Sequence, residues 1–422
     1  MSHTRRIFLR NSALAMVGTG ALPLWLERAA RGAETAGQRR KVLVAIFQRG
    51  AADGLNIVVP HGEAQYYELR PTIAVPRPSA SAAADSAIDL DGFFGLHPAL
   101  APLKPLWQQQ QLAVIHATGS PDPTRSHFDA QDYMESGTPG LKATEGGWLN
   151  RALLPSADNK SPVRAVSLGP ALSRTLRGSN NAVAIDNLST FVLRDAAASK
   201  AMQAMYNTAY DTGADQILGG TGKEAFEAMN LLDALRKTPY QPAGGATYPK
   251  GRLGQSMQQI AQMIKAGVGL EVAFADIGGW DHHLNEVGAK PSVGQLANVL
   301  TEFGGSLAAF AQDMGDRMED VVVVTMSEFG RTAKENGNRG TDHGHGNVMF
   351  ALGGPVRGSK VYGNWPGMAK EQLYEARDLA VTTDFRDVLA EAVASHLGNP
   401  NIAGVFPGYA ASADRFRGFV RA

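Results

Sequence analysis

Four nearly unbroken apolar runs constrain this chain more than any other feature: KVLVAIF (Lys41–Phe47), LAVIHA (Leu112–Ala117), LEVAFADI (Leu270–Ile277) and VVVVTM (Val321–Met326). They lack the polar–apolar alternation of a strand with one wet face, so they read as strands buried on both sides. Segments of helical character separate them, at His97–Gln111, His127–Glu135 and Val293–Met314. Val163–Leu168, Val183–Ile185 and Val348–Leu352 read as further strands, and Thr383–Leu397 as a late helix. Strands and helices in alternation predict an α/β fold, a three-layer α/β/α sandwich on a mainly parallel sheet. The stretch from Leu193 to Met263 is mostly helical and predicts an insertion around residues 190–265. Pro71–Ser86, rich in Ala, Pro and Ser, reads as a loop.

In open α/β sheets, ligands sit beyond the carboxyl ends of the strands. Arg49, Asp53 and Asn56 follow the first run; Thr124, Arg125, Ser126 and His127 follow the second. Asp281, His282 and His283 follow the third; Glu328, Arg331, Asp342, His343 and His345 follow the fourth. Five of the ten histidines therefore lie in these loops. One edge of the sheet would collect carboxylates, imidazoles and a hydroxyl, a donor set for zinc, manganese, magnesium or calcium. Two ions a few ångströms apart would need about this many ligands.

Several of these residues also admit a structural reading. Asp53 in GAADGLN is either a ligand or an Asp-Gly turn residue. Ser126 stands three residues before Asp129, a capping-box spacing, and a hydroxyl there also faces an anion site. Glu328 could pair with Arg331. In DHGHG, two histidines flanked by glycines have little packing use, which favours ligation.

Composition narrows the function. Lys plus Arg and Asp plus Glu number 40 each, so no net field favours nucleic acid or an acidic membrane. The absence of cysteine excludes disulfides, thiolate zinc sites, iron–sulfur clusters and cysteine nucleophiles. At 422 residues and 44% hydrophobic, the chain can bury a large core. Near the start, Thr4-Arg5-Arg6-Ile7-Phe8-Leu9-Arg10 resembles the twin-arginine export signal. The apolar stretch after it, Ala13 to Leu26, is broken by Gly18, Gly20 and Pro23, too short for a stable span. The organisation expected is a signal over residues 1–36 and a single domain over 37–422. The protein would be exported by the twin-arginine machinery and be periplasmic or secreted, with no stable membrane span after processing.

The stretches FQRGAADGLN, LHPALAPLKPLW, LAVIHATGSPDPTRSHFDAQDYMESGTPG, GGWDHHLNE, MSEFGRT and GTDHGHGNVMFALGGPVRG run in order over most of the chain. They resemble the DUF1501 family of twin-arginine-exported bacterial proteins, related to the alkaline phosphatase and sulfatase superfamily. The resemblance implies an alkaline-phosphatase-like fold with two divalent metal ions. Asp53 would bind metal, Ser126 would be the nucleophile, and Asp281 and His283 would be ligands from one loop. Where the superfamily has an Asp-His pair after a further strand, this chain has Ser327-Glu328-Phe329. Asp342 and His343 would replace that pair, with Glu328 as a substitute carboxylate and His345 beyond. Pro121 stands where a sulfatase carries its formylglycine precursor, which disfavours a typical sulfatase. The function implied is a metal-dependent hydrolase or transferase of phosphate or sulfate esters, with a small-molecule or glycan ester as substrate. Ser126 would attack in line, and Arg125, Arg49 or Arg331 would hold the non-bridging oxygens. The rival reading is a non-catalytic metal- or glycan-binding envelope protein. A metal-free serine hydrolase is disfavoured, since no Gly-x-Ser-x-Gly elbow surrounds Ser126.

Overall fold

The structure, a computed structural model, describes residues 39–82, 84–142, 144–154, 161–190, 216–410 and 412–421, with backbone alone at 82, 190 and 216–226. The segment read as an export signal and the first part of the helical stretch, 191–215, lie outside them.

The apolar runs form strands of one nine-stranded sheet among the described residues. In chain order these are β1 (Val42–Gln48), β2 (Leu112–Gly119), β3 (Ala165–Leu168), β4 (Val183–Ile185), β5 (Val272–Ile277), β6 (Val321–Met326), β7 (Asn347–Gly353), β8 (Lys360–Tyr362) and β9 (Thr383–Asp384). The order across the sheet is β8-β2-β7-β6-β1-β5-β3-β4, with β9 beside β2. Every pairing is parallel except the two that β7 makes, with β2 and β6.

The side chains of β1 divide by parity, as the two-residue repeat of a strand requires. Val42, Val44 and Ile46 enter one core with Met257 and Ile260 of α3 (Arg252–Ala266), Leu300 and Phe303 of α4 (Gln295–Met314), and Leu232 of α2 (Gln216–Lys237). Leu43, Ala45 and Phe47 enter the other with Trp148 and with Phe385, Val388 and Leu389 of α5 (Phe385–Glu391). Both faces are covered, which is why these runs do not alternate and why the molecule has three layers. Burying each such side chain contributes about 1.5–3 kcal/mol.

The reversed strand β7 sets where the polar loops can gather. Its first residue sits at the edge where β6 ends, so the connection from Ser327 to Gly346 stays at the carboxyl edge.

One local expectation is corrected. The predicted helix at Thr383 starts two residues later: Thr383–Asp384 pairs with β2, and Asp384 then caps α5 by accepting from the Arg386 N–H at 2.9 Å. Pro71–Ser86 is a loop as read, with one short 3-10 turn, and it lies between strands of a small antiparallel sheet of Val58–Val59, Gly95–Leu96 and Ile88–Asp89. No described helix is long and apolar enough to cross a membrane.

Candidate metal centre

β1, β2, β5 and β6 run parallel, so the loops that follow them meet at one edge. The loop after β6 closes on itself through glycine. Gly344 N–H donates to the Gly330 carbonyl at 2.8 Å, and Gly330 N–H donates to the His345 carbonyl at 2.9 Å. A Cβ on Gly330 would lie 1.9 Å from the Gly346 oxygen, and one on Gly344 would lie 2.3 Å from the Arg331 carbonyl carbon. Only glycine permits backbones this close. The fold-back carries His343 beside Arg331, with which it forms a bridge, and aims its ring at the loops from β2 and β5.

Three imidazoles meet there. His127 opens α1 (His127–Ser136), the helix after β2; His283 lies in the loop after β5; His343 comes from the folded loop. The Nε2 atom of His343 is 3.0 Å from Nε2 of His127 and 3.0 Å from Nε2 of His283. The Asp281 carboxylate completes the group: Oδ1 is 3.0 Å from His283 Nε2 and 3.3 Å from His343 Nε2, and Oδ2 is 3.6 Å from His127 Nε2. One ligating atom from each of His127, Asp281 and His343 fits within a 4.8 Å span.

The other nitrogen of each ring is committed. His127 Nδ1 donates to Glu328 Oε1 at 2.8 Å, His283 Nδ1 to Asp342 Oδ1 at 3.1 Å, and His343 Nδ1 to the Arg125 carbonyl at 2.9 Å. Carboxylates and carbonyls only accept, so all three Nδ1 atoms carry the proton. In the neutral rings the Nε2 lone pairs then point at one another across 3.0 Å, beside a carboxylate. A cation among them relieves that repulsion, and imidazoles anchored through the far nitrogen are how proteins orient metal ligands. Three imidazoles and one carboxylate without thiolate suit a divalent ion that accepts nitrogen, zinc foremost.

Glu328 is built into this shell. It is buried, and Oε1 also accepts from Gly50 N–H and Gln131 Nε2, each at 2.9 Å, while Oε2 lies 3.0 Å from Ser327 Oγ. Burial opposes its ionisation, yet these donors, His127 foremost, hold its pKa below the ordinary glutamate value. The hydrogen bond to Glu328 in turn raises the pKa of His127, while burial lowers that of His343. Burial also works against the charge on Asp281, but the adjacent Arg331 holds its carboxyl below the usual range.

The other residues singled out in the sequence fall in different places. Arg331 is fully buried and does not face the open side of the centre. Its guanidinium donates to the carbonyls of Ala51, Gly50, Trp280 and Thr341 and, at 2.5 Å, to Asp281 Oδ1. Glu328 therefore pairs with His127, not with Arg331. Asp53 is buried with both oxygens on Arg70, at 2.5 and 3.0 Å, and makes no contact with the three histidines among the described residues. Burial would raise the pKa of Asp53, and Arg70 overrides it and holds the carboxyl low. Nearby Glu286 is pushed well up by burial and by the charge on Asp53. His345 turns away and stacks on Tyr374 at 4.6 Å between ring centroids. Arg49 holds Asp276 through Nε and Glu135 and Gln131 through Nη1, and its Nη2 has no hydrogen-bond partner among the described residues. Arg125 binds Asp378 and Glu375 through Nε and Nη2, while its Nη1 has no hydrogen-bond partner among the described residues. Ser126 sits half-buried at the N-cap of α1, and its hydroxyl caps nothing there.

Sequence reasoning undervalues His127. It stands among the residues that follow the strand ends, but its place at a helix start hides it as a ligand. The usable signal is its position, directly after the candidate nucleophile and in the loop that leaves β2 at the carboxyl edge.

No curated protein matches the sequence. Among solved structures, the chain is similar to the PsFucS1 sulfatase from Pseudoalteromonas sp., at 12% identity and a TM-score of 0.40, over 95% of this chain and 78% of that one. It is similar to the C-terminal periplasmic domain of EcEptC from Escherichia coli in complex with Zn, at 9% identity and a TM-score of 0.34, over 75% and 74% of the two chains. It is also similar to the alkaline phosphatase of the Antarctic bacterium TAB5, at 11% identity and a TM-score of 0.29, over 75% and 93%. The family described as "Protein of unknown function (DUF1501)" matches residues 40–399, and the chain belongs to that family.

Proposed function

We propose that this protein is a metal-dependent hydrolase or transferase of phosphate or sulfate esters. The observation that carries the reading is the convergence of three imidazole Nε2 atoms on Asp281, each ring held by an acceptor on its far side. His127, His283, His343 and Asp281 would hold a divalent ion, and that ion would supply Lewis acidity to an ester oxygen and lower the pKa of a bound hydroxyl.

The chain's own residues then divide the work. Ser126 is the nucleophile: it precedes a ligand, stands at a helix N-terminus and has no capping bond to give up. Its Oγ attacks phosphorus or sulfur, the ester oxygen leaves, and water later cleaves the seryl ester. Arg125 offers Nη1 to a non-bridging oxygen from a guanidinium fixed by Asp378 and Glu375. Glu328 and Asp342 position His127 and His283, and Arg331 positions Asp281. Asp53 and Arg70 form a buried ion pair that also ties down the Thr332 and Ala333 carbonyls of the folded loop. A second ion, which the family resemblance implies, would take its ligands from beyond this cluster. We read residues 1–36 as the export signal and 37–422 as one domain with the helical insertion, in a periplasmic or secreted protein.

The second reading, a non-catalytic metal- or glycan-binding envelope protein, is favoured by one observation. Arg331, the arginine bonded to the Asp281 ligand, is fully buried with all three of its nitrogens engaged by the protein, so it has none to offer an anionic transition state.

The test is metal content by mass spectrometry together with turnover of nitrophenyl phosphate and nitrophenyl sulfate panels by wild type and Ser126→Ala. Metal-bound protein whose turnover needs Ser126 supports hydrolysis. Metal-bound protein with no turnover supports the second reading, and metal-free protein inert after reconstitution removes the hydrolase and the metal-binding form of the second reading.

A further inference from the structure

Near the end of the chain, two arginines flank a phenylalanine: Arg415, Phe416 and Arg417. The backbone is extended at Phe416, so the residues on either side of it can face the same way. Phe416 packs against the second core, and both arginines line one cleft of about 510 Å³. Asp384 and Asp387 share the lining, with His345 and Pro121. The volume suits a small ligand or one group of a larger one.

The carboxylates here are satisfied. Arg386, which stands outside the lining, holds Asp384 at 2.7 and 3.0 Å and is itself fixed over the Tyr409 ring at 3.7 Å. Asp387 accepts from the Tyr409 hydroxyl at 2.6 Å. Glu391 accepts from the backbone N–H groups of Arg417, Gly418 and Val420. The two guanidiniums are not satisfied in the same way. Arg415 makes one side-chain hydrogen bond among the described residues, from Nη1 to the Tyr409 hydroxyl at 3.0 Å. The Arg417 side chain makes none among them: Asp387 is 3.8 Å from its Nη2, and its Nε is shielded from water without a partner. A guanidinium has five N–H donors, and withdrawing one from water without an acceptor is unfavourable. With Asp384 neutralised by Arg386, one carboxylate of the lining faces two guanidiniums. On the His345 side, Asp378 and Glu375 are held by Arg125, and Asp122 accepts from the Thr124 N–H at 2.9 Å. The surplus positive charge therefore lies at the end with Arg415 and Arg417.

We propose that this end of the cleft binds an oxyanion group, a phosphate, sulfate or carboxylate, through the guanidiniums of Arg415 and Arg417. Paired oxygens on one centre match the fork of a guanidinium and supply the acceptors that both side chains lack. Two loops of the metal centre also line the cleft: Pro121 comes five residues before Ser126, and His345 two residues after His343. On the ester-transfer reading, the oxyanion is a second acidic group of the substrate, so the preferred ester is a polyanion; that link rests on the reading, and anion binding itself does not.

The experiment is calorimetric titration of the full chain, treated with chelator so that no metal ion contributes, at constant ionic strength. The probes are inorganic sulfate and phosphate, tripolyphosphate, tetragalacturonate and a chondroitin sulfate tetrasaccharide, with neutral maltotetraose as reference. At least one anion should bind where maltotetraose does not. Arg417→Gln and Arg415→Gln should each weaken that binding about tenfold or more, the scale of a charge-assisted hydrogen bond. Arg417→Gln should melt no lower than wild type, because its side chain gives up no hydrogen bond, which separates a binding role from a structural one. Crystals soaked in selenate should show an anomalous peak between the two guanidiniums. An oligomer that binds at least tenfold tighter than the free ions assigns the oxyanion to a chain, and equal binding assigns a free ion; either keeps the site. No anion binding above the neutral reference, undiminished binding in folded Arg417→Gln, or a selenate peak only elsewhere would overturn the proposal. Anion binding that needs Arg417 without ester turnover would keep the cleft and remove the ester reading; turnover without such binding would do the reverse.

Discussion

Replacing Glu328 with glutamine should weaken metal binding about tenfold and leave the fold intact. The amide has the shape of the carboxylate. Its oxygen can take the Oε1 position and accept from His127 Nδ1, Gln131 and Gly50 N–H as before. Its NH2 then faces Ser327 Oγ, which can accept because its own proton has the Gln48 carbonyl 2.8 Å away. What is lost is the negative charge behind the His127 ring, which makes Nε2 a stronger donor. Losing an orienting partner of a metal-bound histidine costs about 10–100-fold in affinity, or about 1.4–2.7 kcal/mol. The isosteric change belongs at the low end. Glu328→Ala belongs at the high end, since it also releases the His127 ring and leaves Gly50 N–H and the Gln131 amide without their acceptor. The assay is zinc titration against a competing chelating dye, with a thermal melt of each metal-free protein. Two variants that bind zinc as tightly as wild type, with unchanged melts, would refute the claim that Glu328 positions a ligand.

The buried charges and the glycine fold-back give three more tests. Arg331→Met should destabilise the protein by about 3–5 kcal/mol, because it strands four carbonyls and the Asp281 carboxylate that Arg331 now satisfies; urea unfolding measures it. Gly330→Ala should abolish metal binding with a smaller loss of global stability, since its Cβ would force the Gly346 backbone away and move His343; the same dye titration and melt read both. Asp313, far from the centre, gives a pH test. Burial raises its pKa, but Lys265, Tyr240, Tyr248 and the Ala243 N–H hold the carboxyl below its ordinary value. Its folded pKa is thus below its unfolded one, so its stabilisation is present above the unfolded value of about 4 and fades as pH falls through the folded pKa. The stability gap between wild type and Asp313→Asn should close on acidification below pH ~4; a gap that widens there would contradict the pairing.

The sheet was legible because its strands are covered on both faces. Val321–Met326 has the predicted bounds, and β1 and β7 differ by a residue at each end. Two-residue strands such as Thr383–Asp384 leave no such pattern, and helical propensity downstream absorbed them. The edge that gathers the polar loops was also legible, since parallel strands send their loops one way. The division of labour within it was not. Asp53 looks like a ligand until Arg70, 17 residues on and unmarked in the sequence, takes both its oxygens. Arg331 looks like an anion binder until the loop folds it under Asp281. His343 and His345 look equivalent in DHGHG, yet the backbone turns one ring to the centre and the other to Tyr374. These are facts of side-chain direction across long sequence separations, which pattern and spacing do not carry.

The most direct test of the metal centre is a crystal of the protein grown with zinc, with anomalous scattering collected at the zinc edge. A peak about 2.0–2.2 Å from Nε2 of His127, His283 and His343 and from an Asp281 oxygen is the result expected. A map with no peak there at saturating zinc, or one with its peak at Asp53 instead, would contradict it.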